Sequence, residues 1–297
     1  MATFLVDVGF QGQDAGALRQ ARNWFEDVFR PFRVLVTAKR EQTGTRCFGE
    51  LPKDHTEVLL RERTTSQPLM WVTRRGKVLD VGLHILERAG SDLLSFFERA
   101  EELISNYVVT HLQRHLWIHA AALYKNSSLV LLIAPSGMGK TTLSLALLDR
   151  GYVLATDDVT LFDLEMGQLM PFPRCPRIRG NALGALRNSG FHLLERATLR
   201  GRYVVLPARH LHLAPIDCPV RGVHVFFLTR EHAGVSAGVQ PLTLSETIRL
   251  LAKQSNVLAQ DPQLEFITTM LRHASVYRLD LGAFDDTLER IMEVTPQ

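Results

Sequence analysis

The chain has 297 residues, of which 46% are hydrophobic and 22% are charged, and its formal net charge is +3. These values are typical of a globular protein with one large or two smaller domains, and no apolar stretch reaches the roughly 18 to 20 residues of a membrane helix. The weakly basic charge permits an anionic ligand but does not indicate a nucleic-acid partner. The three cysteines are widely spaced, which favours reduced thiols in the cytoplasm over a disulfide framework or a zinc site.

The first 110 residues predict a small α/β domain. Helices are predicted over 14–29, where apolar side chains recur at helical spacing, and from Ser91, a favourable N-cap residue, to about residue 112. The second helix is expected to connect two halves, so the predicted domains are 1–110 and 111–297. From its position alone, the first domain is a candidate for substrate recognition. Strands are predicted over residues 2–8, 34–36, 57–61, 69–74 and 77–84.

The second domain begins with two apolar runs of strand length, WIHAAALY and SSLVLLIA, which we expect to be buried on both faces. A helix is predicted from about 139 to 150 and is ended by Gly151. The next strand begins at Val153 and ends in Thr156-Asp157-Asp158. The alternation of strands and helices predicts an α/β fold. Further strands are predicted over 159–163, 203–206, 222–228 and 276–280, and further helices over 244–253 and 284–294.

Residues 134–141, APSGMGKT, match the phosphate-loop pattern GxxxxGK[ST] except that Ala134 replaces the first glycine. A glycine-rich turn between a strand and a helix points backbone N–H groups inward, and the helix adds the positive end of its dipole. Lys140 would reach the outer phosphates, and the Thr141 hydroxyl would bind Mg²⁺. The alternative is a structural turn with an exposed lysine, which leaves the residue order unexplained. The predicted nucleotide-binding residues are Pro135, Ser136, Gly137, Met138, Gly139, Lys140, Thr141 and Thr142.

Asp157 and Asp158 end a predicted strand seventeen residues after Lys140. Ligands of open α/β sheets lie beyond the carboxyl ends of strands. One carboxylate could hold Mg²⁺, and the other could accept a proton from an attacking hydroxyl. Because adjacent strand residues point to opposite faces, we expect the two to have different roles. The alternative for the two aspartates is a solvated Asp-Asp turn. His119 lies in an apolar run, and the alternative to a role in the site is a histidine buried in the core.

Taken together, four sequence features resemble the HPr kinase/phosphorylase family and its relatives in the phosphoenolpyruvate carboxykinase-like superfamily. In chain order they are His119-Ala120, the loop 134–141, Arg150-Gly151-Tyr152 and Thr156-Asp157-Asp158. The resemblance is specific over residues 117–160, looser to about residue 255, and absent from 1–110. It implies a P-loop kinase core, with a mixed sheet flanked by helices, that uses ATP and Mg²⁺.

The resemblance also implies roles for individual residues. Asp157 would act on a substrate serine, Asp158 would join Thr141 at the metal, and His119 would lie in the site. Arg230 follows the strand VHVFFLT, where these relatives often carry an arginine. It could stabilise charge on the transferred phosphoryl group, and the alternative is a surface arginine that ends a strand.

The chain also departs from the HPr-specific pattern. The family motif E-I-R-G, whose glutamate contributes to the metal site, is replaced by Arg177-Ile178-Arg179-Gly180. Positive residues there could bind a phosphate or an acidic substrate instead. The segments 171–174 and 241–246 resemble divergent HPr-kinase-related proteins. Some of those accompany peptide natural-product genes, including lasso-peptide clusters, in which the kinase phosphorylates a serine of the peptide.

The predicted function is therefore transfer of the γ-phosphoryl group of ATP to a hydroxyl, with a serine of a peptide or protein as the expected acceptor. The alternative is a nucleotide-binding regulator or scaffold without transfer chemistry, whose binding survives loss of Asp157. No nucleic-acid or membrane partner is expected. The acceptor and the oligomeric state, a homo-oligomer included, stay open.

Overall fold

The computed structural model divides the chain into two compact units, residues 3–112, and residues 113–297 together with residues 1 and 2. The described residues are 6–12, 19, 33–37, 55–62, 68–75, 78–81, 85–88, 102, 115–165, 167–170, 176–200, 203–206, 211, 220–230, 236–255 and 261–295.

The N-terminal unit contains a six-stranded sheet in the order β2-β1-β3-β4-β5-β6. β1 and β2 are parallel, and every other neighbouring pair is antiparallel. Five of these strands overlap the predicted ones, whereas β6 was not predicted. The helices predicted over 14–29 and from Ser91 lie almost entirely outside the described residues. The strands are β1 (Val6–Gly12), β2 (Arg33–Thr37), β3 (His55–Glu62), β4 (Pro68–Arg75), β5 (Val78–Val81) and β6 (Ile85–Arg88).

The C-terminal unit is built on a mixed six-stranded sheet in the order β10-β8-β9-β16-β18-β17. β16 runs parallel to both β9 and β18, while β8, β10 and β17 run antiparallel to their neighbours. These strands are β8 (Ala120–Lys125), β9 (Ser128–Ile133), β10 (Val153–Thr156), β16 (Gly222–Thr229), β17 (Gly238–Pro241) and β18 (Ala274–Asp280).

Five helices and two small antiparallel sheets complete the described part of this unit. One small sheet has the order β12-β11-β7, and the other has the order β13-β15-β14. A 3₁₀ turn spans His192–Arg196. The helices are α1 (Lys140–Leu148), α2 (Gly180–Asn188), α3 (Leu244–Leu251), α4 (Asp261–Arg272) and α5 (Phe284–Val294). The strands are β7 (His115–Ile118), β11 (Thr160–Asp163), β12 (Gln168–Met170), β13 (Arg177–Ile178), β14 (Thr198–Arg200) and β15 (Tyr203–Val205).

Apolar side chains of the central sheet alternate between two buried layers. One layer includes Leu123 and Leu132 and packs against α1, α2 and α5. The other includes Ala122 and Leu131 and packs against β7, β11, α3 and α4. Because both faces are covered, β8 and β9 are apolar up to the turn that joins them, where Lys125 and Ser128 lie, instead of alternating with polar residues. The predicted α/β fold with a mixed sheet flanked by helices is confirmed.

The prediction of one continuous strand through WIHAAALY is wrong. β7 ends at Ile118 in a small sheet, and β8 begins at Ala120 in the central sheet. At the break, the His119 N–H donates to the Gln254 carbonyl over 2.6 Å, and Ile118 forms an isolated bridge with Ser255. The strand therefore changes partners at His119, which positions this residue between the two sheets.

Two of the five described helices, α2 and α4, were not predicted. Two glycines lower the helix propensity of α2. Its contribution to the core is chiefly Leu186, which is fully buried. Over the described residues, no helix is long and apolar enough to cross a membrane.

Candidate active site

The phosphate loop connects β9 to α1 and has the backbone that an anion nest requires. Gly137 and Gly139 have φ values of +88° and +103°, in the left-handed region that glycine adopts without steric cost. A Cβ on Gly139 would meet no atom within 4 Å, so the backbone alone imposes glycine there. Ala134 is only 2% exposed and is not among the residues with positive φ, which explains why alanine fits the first position of the motif.

Lys140 is the first residue of α1, and its side chain is buried rather than exposed as the alternative interpretation required. The residue is 5% exposed. Its Nζ donates to the carbonyl oxygens of Ala134 over 2.7 Å and Pro135 over 3.3 Å. Burial lowers the pKa of Lys140, while Asp158 and Asp157 act in the opposite direction. The ammonium group therefore lies inside the loop with two carboxylates close by.

The two aspartates follow the end of β10 and have different partners. The Thr141 hydroxyl donates to the Asp157 carboxylate, at 2.9 Å from Oδ2 and 3.2 Å from Oδ1. Oδ1 of Asp158 lies 2.9 Å from His119 Nε2. Asp157 is buried, whereas the Asp158 side chain is 47% exposed. The resemblance implied that Thr141 and Asp158 hold the same metal ion, and in this structure the Thr141 hydroxyl hydrogen-bonds to Asp157 instead.

Both carboxylates line the same cavity, although adjacent residues of a strand were expected to face opposite ways. The reason is that β10 ends at Thr156 and that Asp158 has a φ of +76°, so strand alternation does not extend to it. A left-handed conformation in a non-glycine residue costs on the order of 1 to 3 kcal/mol and is commonly found at functional sites.

His119 connects the lysine to the second aspartate. Its Nε2 lies 3.1 Å from Lys140 Nζ as well as 2.9 Å from Asp158. One ring nitrogen either donates or accepts, so Nε2 serves one of these two partners at a time. Nδ1 lies 3.3 Å from Oε1 of Gln254. His119 is thus a polar group held between the phosphate loop and Asp158.

A cavity of about 510 Å³ opens over the phosphate loop, within the range of small-molecule sites. Arg230 lines it, as do all the predicted loop residues except Pro135, which reaches the site through its carbonyl contact with Lys140. The lining residues are Ser136, Gly137, Met138, Gly139, Lys140, Thr141, Thr142, Leu143, Asp157, Asp158, Arg177, Arg179, Ala182, Ala185, Arg230, Leu281, Gly282, Phe284 and Thr287.

The oxygen atoms beside the loop are those that Mg²⁺ prefers. Mg²⁺ is usually held by one or two carboxylates together with substrate phosphates rather than by an all-protein cage. Among the residues with described positions, no group of three or more His, Cys, Asp or Glu side chains could hold a metal. The Thr141 hydroxyl and the carboxylates of Asp157 and Asp158 therefore fit a Mg²⁺ ion whose remaining ligands come from bound phosphate.

Sequence reasoning missed two parts of the site. Gln254, which contacts His119, is 135 residues away in the chain, and no local signal indicates that contact. The wall formed by Leu281, Gly282 and Phe284 directly follows β18. The rule that ligands lie beyond the carboxyl ends of strands could have identified this wall.

Comparison with known proteins finds relatives of one kind. No family model matches the chain. The chain is 26% identical to a protein named HPr kinase/phosphorylase from Polaromonas naphthalenivorans (strain CJ2), over 65% of this chain and 68% of that protein. It is also 26% identical to a protein of the same name from Polaromonas sp. (strain JS666), over 71% of this chain and 75% of that protein.

Among solved structures, the HPr(Ser) kinase/phosphatase from Coxiella burnetii matches 60% of this chain and 96% of that chain, with 18% identity and a TM-score of 0.29. The two sequence relatives agree with the resemblance carried by residues 117–160. These weak similarities support placing the chain among the HPr-kinase-like proteins.

Proposed function

We propose that this protein is an ATP-dependent kinase that transfers the γ-phosphoryl group to a serine hydroxyl of a peptide or protein. One observation carries the proposal: a phosphate loop with a buried lysine lies in the same cavity as two carboxylates. A loop that only bound nucleotide would not need both carboxylates beside it. The names of the two sequence relatives support the same chemistry.

The loop and Lys140 bind the phosphates. Backbone N–H groups of the glycine-rich loop and the N-terminus of α1 hold the negative charge. Lys140 exchanges its contacts with loop carbonyls for the outer phosphates, which stabilise a buried ammonium group better than neutral carbonyls do. Thr141, with an aspartate, would hold Mg²⁺, which neutralises phosphate charge when bound.

Asp157 accepts the proton of the acceptor hydroxyl. The acceptor oxygen forms a bond to the γ-phosphorus while the bond between the γ-phosphorus and the β,γ-bridging oxygen breaks. The negative charge that develops on the bridging oxygen remains on ADP. Asp158 belongs to the metal side of the site, where His119 orients it through the 2.9 Å contact. The hydrogen bond from Thr141 to Asp157 favours the opposite assignment, with Asp157 at the metal and Asp158 as the proton acceptor. The two assignments predict different effects of the aspartate variants on the Mg²⁺ requirement and on the rate of transfer.

The acceptor is proposed to be other than the HPr protein, since Arg177 and Arg179 line the cavity where the HPr-specific motif has a glutamate at the first of these positions. A precursor of a ribosomal peptide natural product, of the lasso-peptide type, fits the local sequence resemblance at 171–174 and 241–246. The N-terminal unit is proposed to recognise this substrate, and the reaction is proposed to take place in the cytoplasm.

The deciding experiment incubates the protein with γ-labelled ATP, Mg²⁺ and candidate serine peptides, with nucleotide affinity measured in parallel. We expect Asp157→Asn to bind nucleotide within about threefold of wild type but to transfer at least about 100-fold more slowly, the usual contribution of a general base. Lys140→Ala should weaken nucleotide binding by about 10-fold to 100-fold, because it removes a charge-assisted contact. Asp149→Asn, at the far end of α1, is the matched control and should behave as wild type.

Asp158→Asn separates the two assignments. With Asp158 at the metal, this variant requires more Mg²⁺ for half-maximal transfer, whereas Asp157→Asn does not. If Asp157→Asn instead raises the Mg²⁺ requirement and Asp158→Asn abolishes transfer, the roles are exchanged. Undiminished transfer by both variants would refute phosphoryl transfer at this cavity, and nucleotide binding without transfer by wild type would favour the regulator.

A further inference from the structure

Arg177 and Arg179 both face the cavity because of the residue between them. The segment is extended, since β13 covers Arg177–Ile178 and Arg179 has φ −83° and ψ 159°. Alternate side chains of an extended segment point to opposite sides. Ile178 is 1% exposed and belongs to the core, so its packing directs both arginines to the opposite side of the segment. There they line the cavity.

Of the two, Arg179 lies against the phosphate loop itself. Its Nη2 donates to the Ser136 hydroxyl over 3.3 Å. Its Nη1 lies 3.7 Å from the position that a Cβ would take on Gly137. The guanidinium group is therefore held beside the loop at the residues that precede Lys140.

The position of Arg179 has an electrostatic cost. Arg179 and Lys140 both line the cavity at the phosphate loop, so two positively charged side chains lie at one site. Two cations at one loop repel each other, and a polyanion bound at the loop converts this repulsion into attraction for both. A guanidinium also presents a planar fork of donors that matches phosphate oxygens, which a lysine cannot do.

We propose that Arg179 binds the outermost phosphate of the nucleoside triphosphate and stabilises that group during its transfer. The catalytic half of this inference rests on the proposed kinase function, whereas the binding half does not. During transfer Arg179 gains and loses no proton: the hydroxyl proton goes to Asp157, and the negative charge remains on ADP. Donors aimed at developing charge in a transition state act in this way.

The test compares calorimetric affinities for Mg·ATP and Mg·ADP in four full-length proteins: wild type, Arg179→Ala, Arg179→Lys and Arg187→Ala. Arg187 is the matched control, because it lies in the last turn of α2, the helix that follows Arg179, and does not line the cavity. We expect Arg179→Ala to lose about 10-fold to 100-fold in affinity for ATP, the range of a charge-assisted contact, and less than about threefold for ADP. Arg179→Lys should recover part of the loss for ATP.

Where wild type transfers phosphate, Arg179→Ala should also lower kcat by about 100-fold, as loss of one transition-state donor does. An unchanged ratio of ATP to ADP affinity in Arg179→Ala, or the same loss in Arg187→Ala, would overturn the inference. If wild type binds ATP and phosphorylates nothing, the proposed function fails, but the affinity ratio still decides whether Arg179 contacts the outermost phosphate.

Discussion

Gly139→Ala tests whether the phosphate loop has the backbone seen here. The residue is the N-cap of α1, with φ +103° and ψ +9°. An added Cβ would meet nothing within 4 Å, so steric contact with neighbours does not contribute to the cost. The left-handed conformation costs an alanine about 1 to 2 kcal/mol more than a glycine. Loss of chain entropy in the unfolded state offsets about 0.4 to 1 kcal/mol of that cost.

Gly139→Ala should therefore lower the free energy of unfolding of the C-terminal unit by up to about 1.6 kcal/mol. Gly184→Ala is the matched control, because the chemical change is the same and a Cβ there also meets nothing within 4 Å. Gly184 lies within α2 and has no positive φ, so alanine should stabilise the protein by about 0.5 to 1 kcal/mol. The two variants should differ by roughly 0.5 to 2.6 kcal/mol.

Hydrogen exchange of the buried β9 amides measures this difference in the unit that carries the loop. Calorimetry with Mg·ATP gives a second measurement, and we expect Gly139→Ala to bind about 10-fold more weakly as loop amides turn away from the phosphates. If Gly139→Ala were as stable as Gly184→Ala and bound ATP equally well, residue 139 would not have a left-handed backbone, and the anion nest would have to be abandoned.

Two further predictions concern Lys140 and the neighbours of His119. Burial lowers the pKa of Lys140 from 10.5, so in a window below 10.5 the unfolded chain binds a proton that the folded chain has released, and stability rises with pH there. Urea unfolding of wild type and Lys140→Met at several pH values below 10.5 should show this rise in wild type only, and a constant difference between them would contradict it. Gln254→Ala should slow transfer about 10-fold through loss of His119 orientation without weakening nucleotide binding. Gln254→Glu, which keeps an acceptor oxygen, should restore the rate, and equal rates in all three proteins would exclude a positioning role.

The phosphate loop could be predicted because its chemistry is local. A strand, a glycine-rich turn and a helix lie within residues 128–148, and each part has its own sequence signal. The length of α1, predicted as 139–150 and observed as Lys140–Leu148, shows how well such signals work. The helix α5 was predicted with the same bounds that it has in the structure, because its apolar residues recur at helical spacing between polar ones.

The surroundings of His119 could not be predicted, because they depend on contacts between distant segments. In a strand pattern, WIHAAALY is continuous, and only the pairing of β7 with β11 and of β8 with β9 separates it into two strands. At the break between β7 and β8, Gln254 contacts His119 through both its backbone carbonyl and its side chain, although the two residues are 135 positions apart. The helix α2 was missed for the same reason. Its two glycines lower its helix propensity, and the burial of Leu186 depends on tertiary packing that the local sequence does not indicate.

Two of the places where local rules fail lie in the site. Strand pairing breaks at His119, and Asp158 adopts a left-handed backbone that costs a non-glycine residue on the order of 1 to 3 kcal/mol. Each departure is stabilised by the other, because the 2.9 Å contact between these side chains exists only when both are present. Departures from local preference that depend on each other in this way are expected where positioning for function outweighs stability. The break at His119 and the left-handed backbone at Asp158 therefore give the proposed kinase function a second line of support, separate from the phosphate-loop motif.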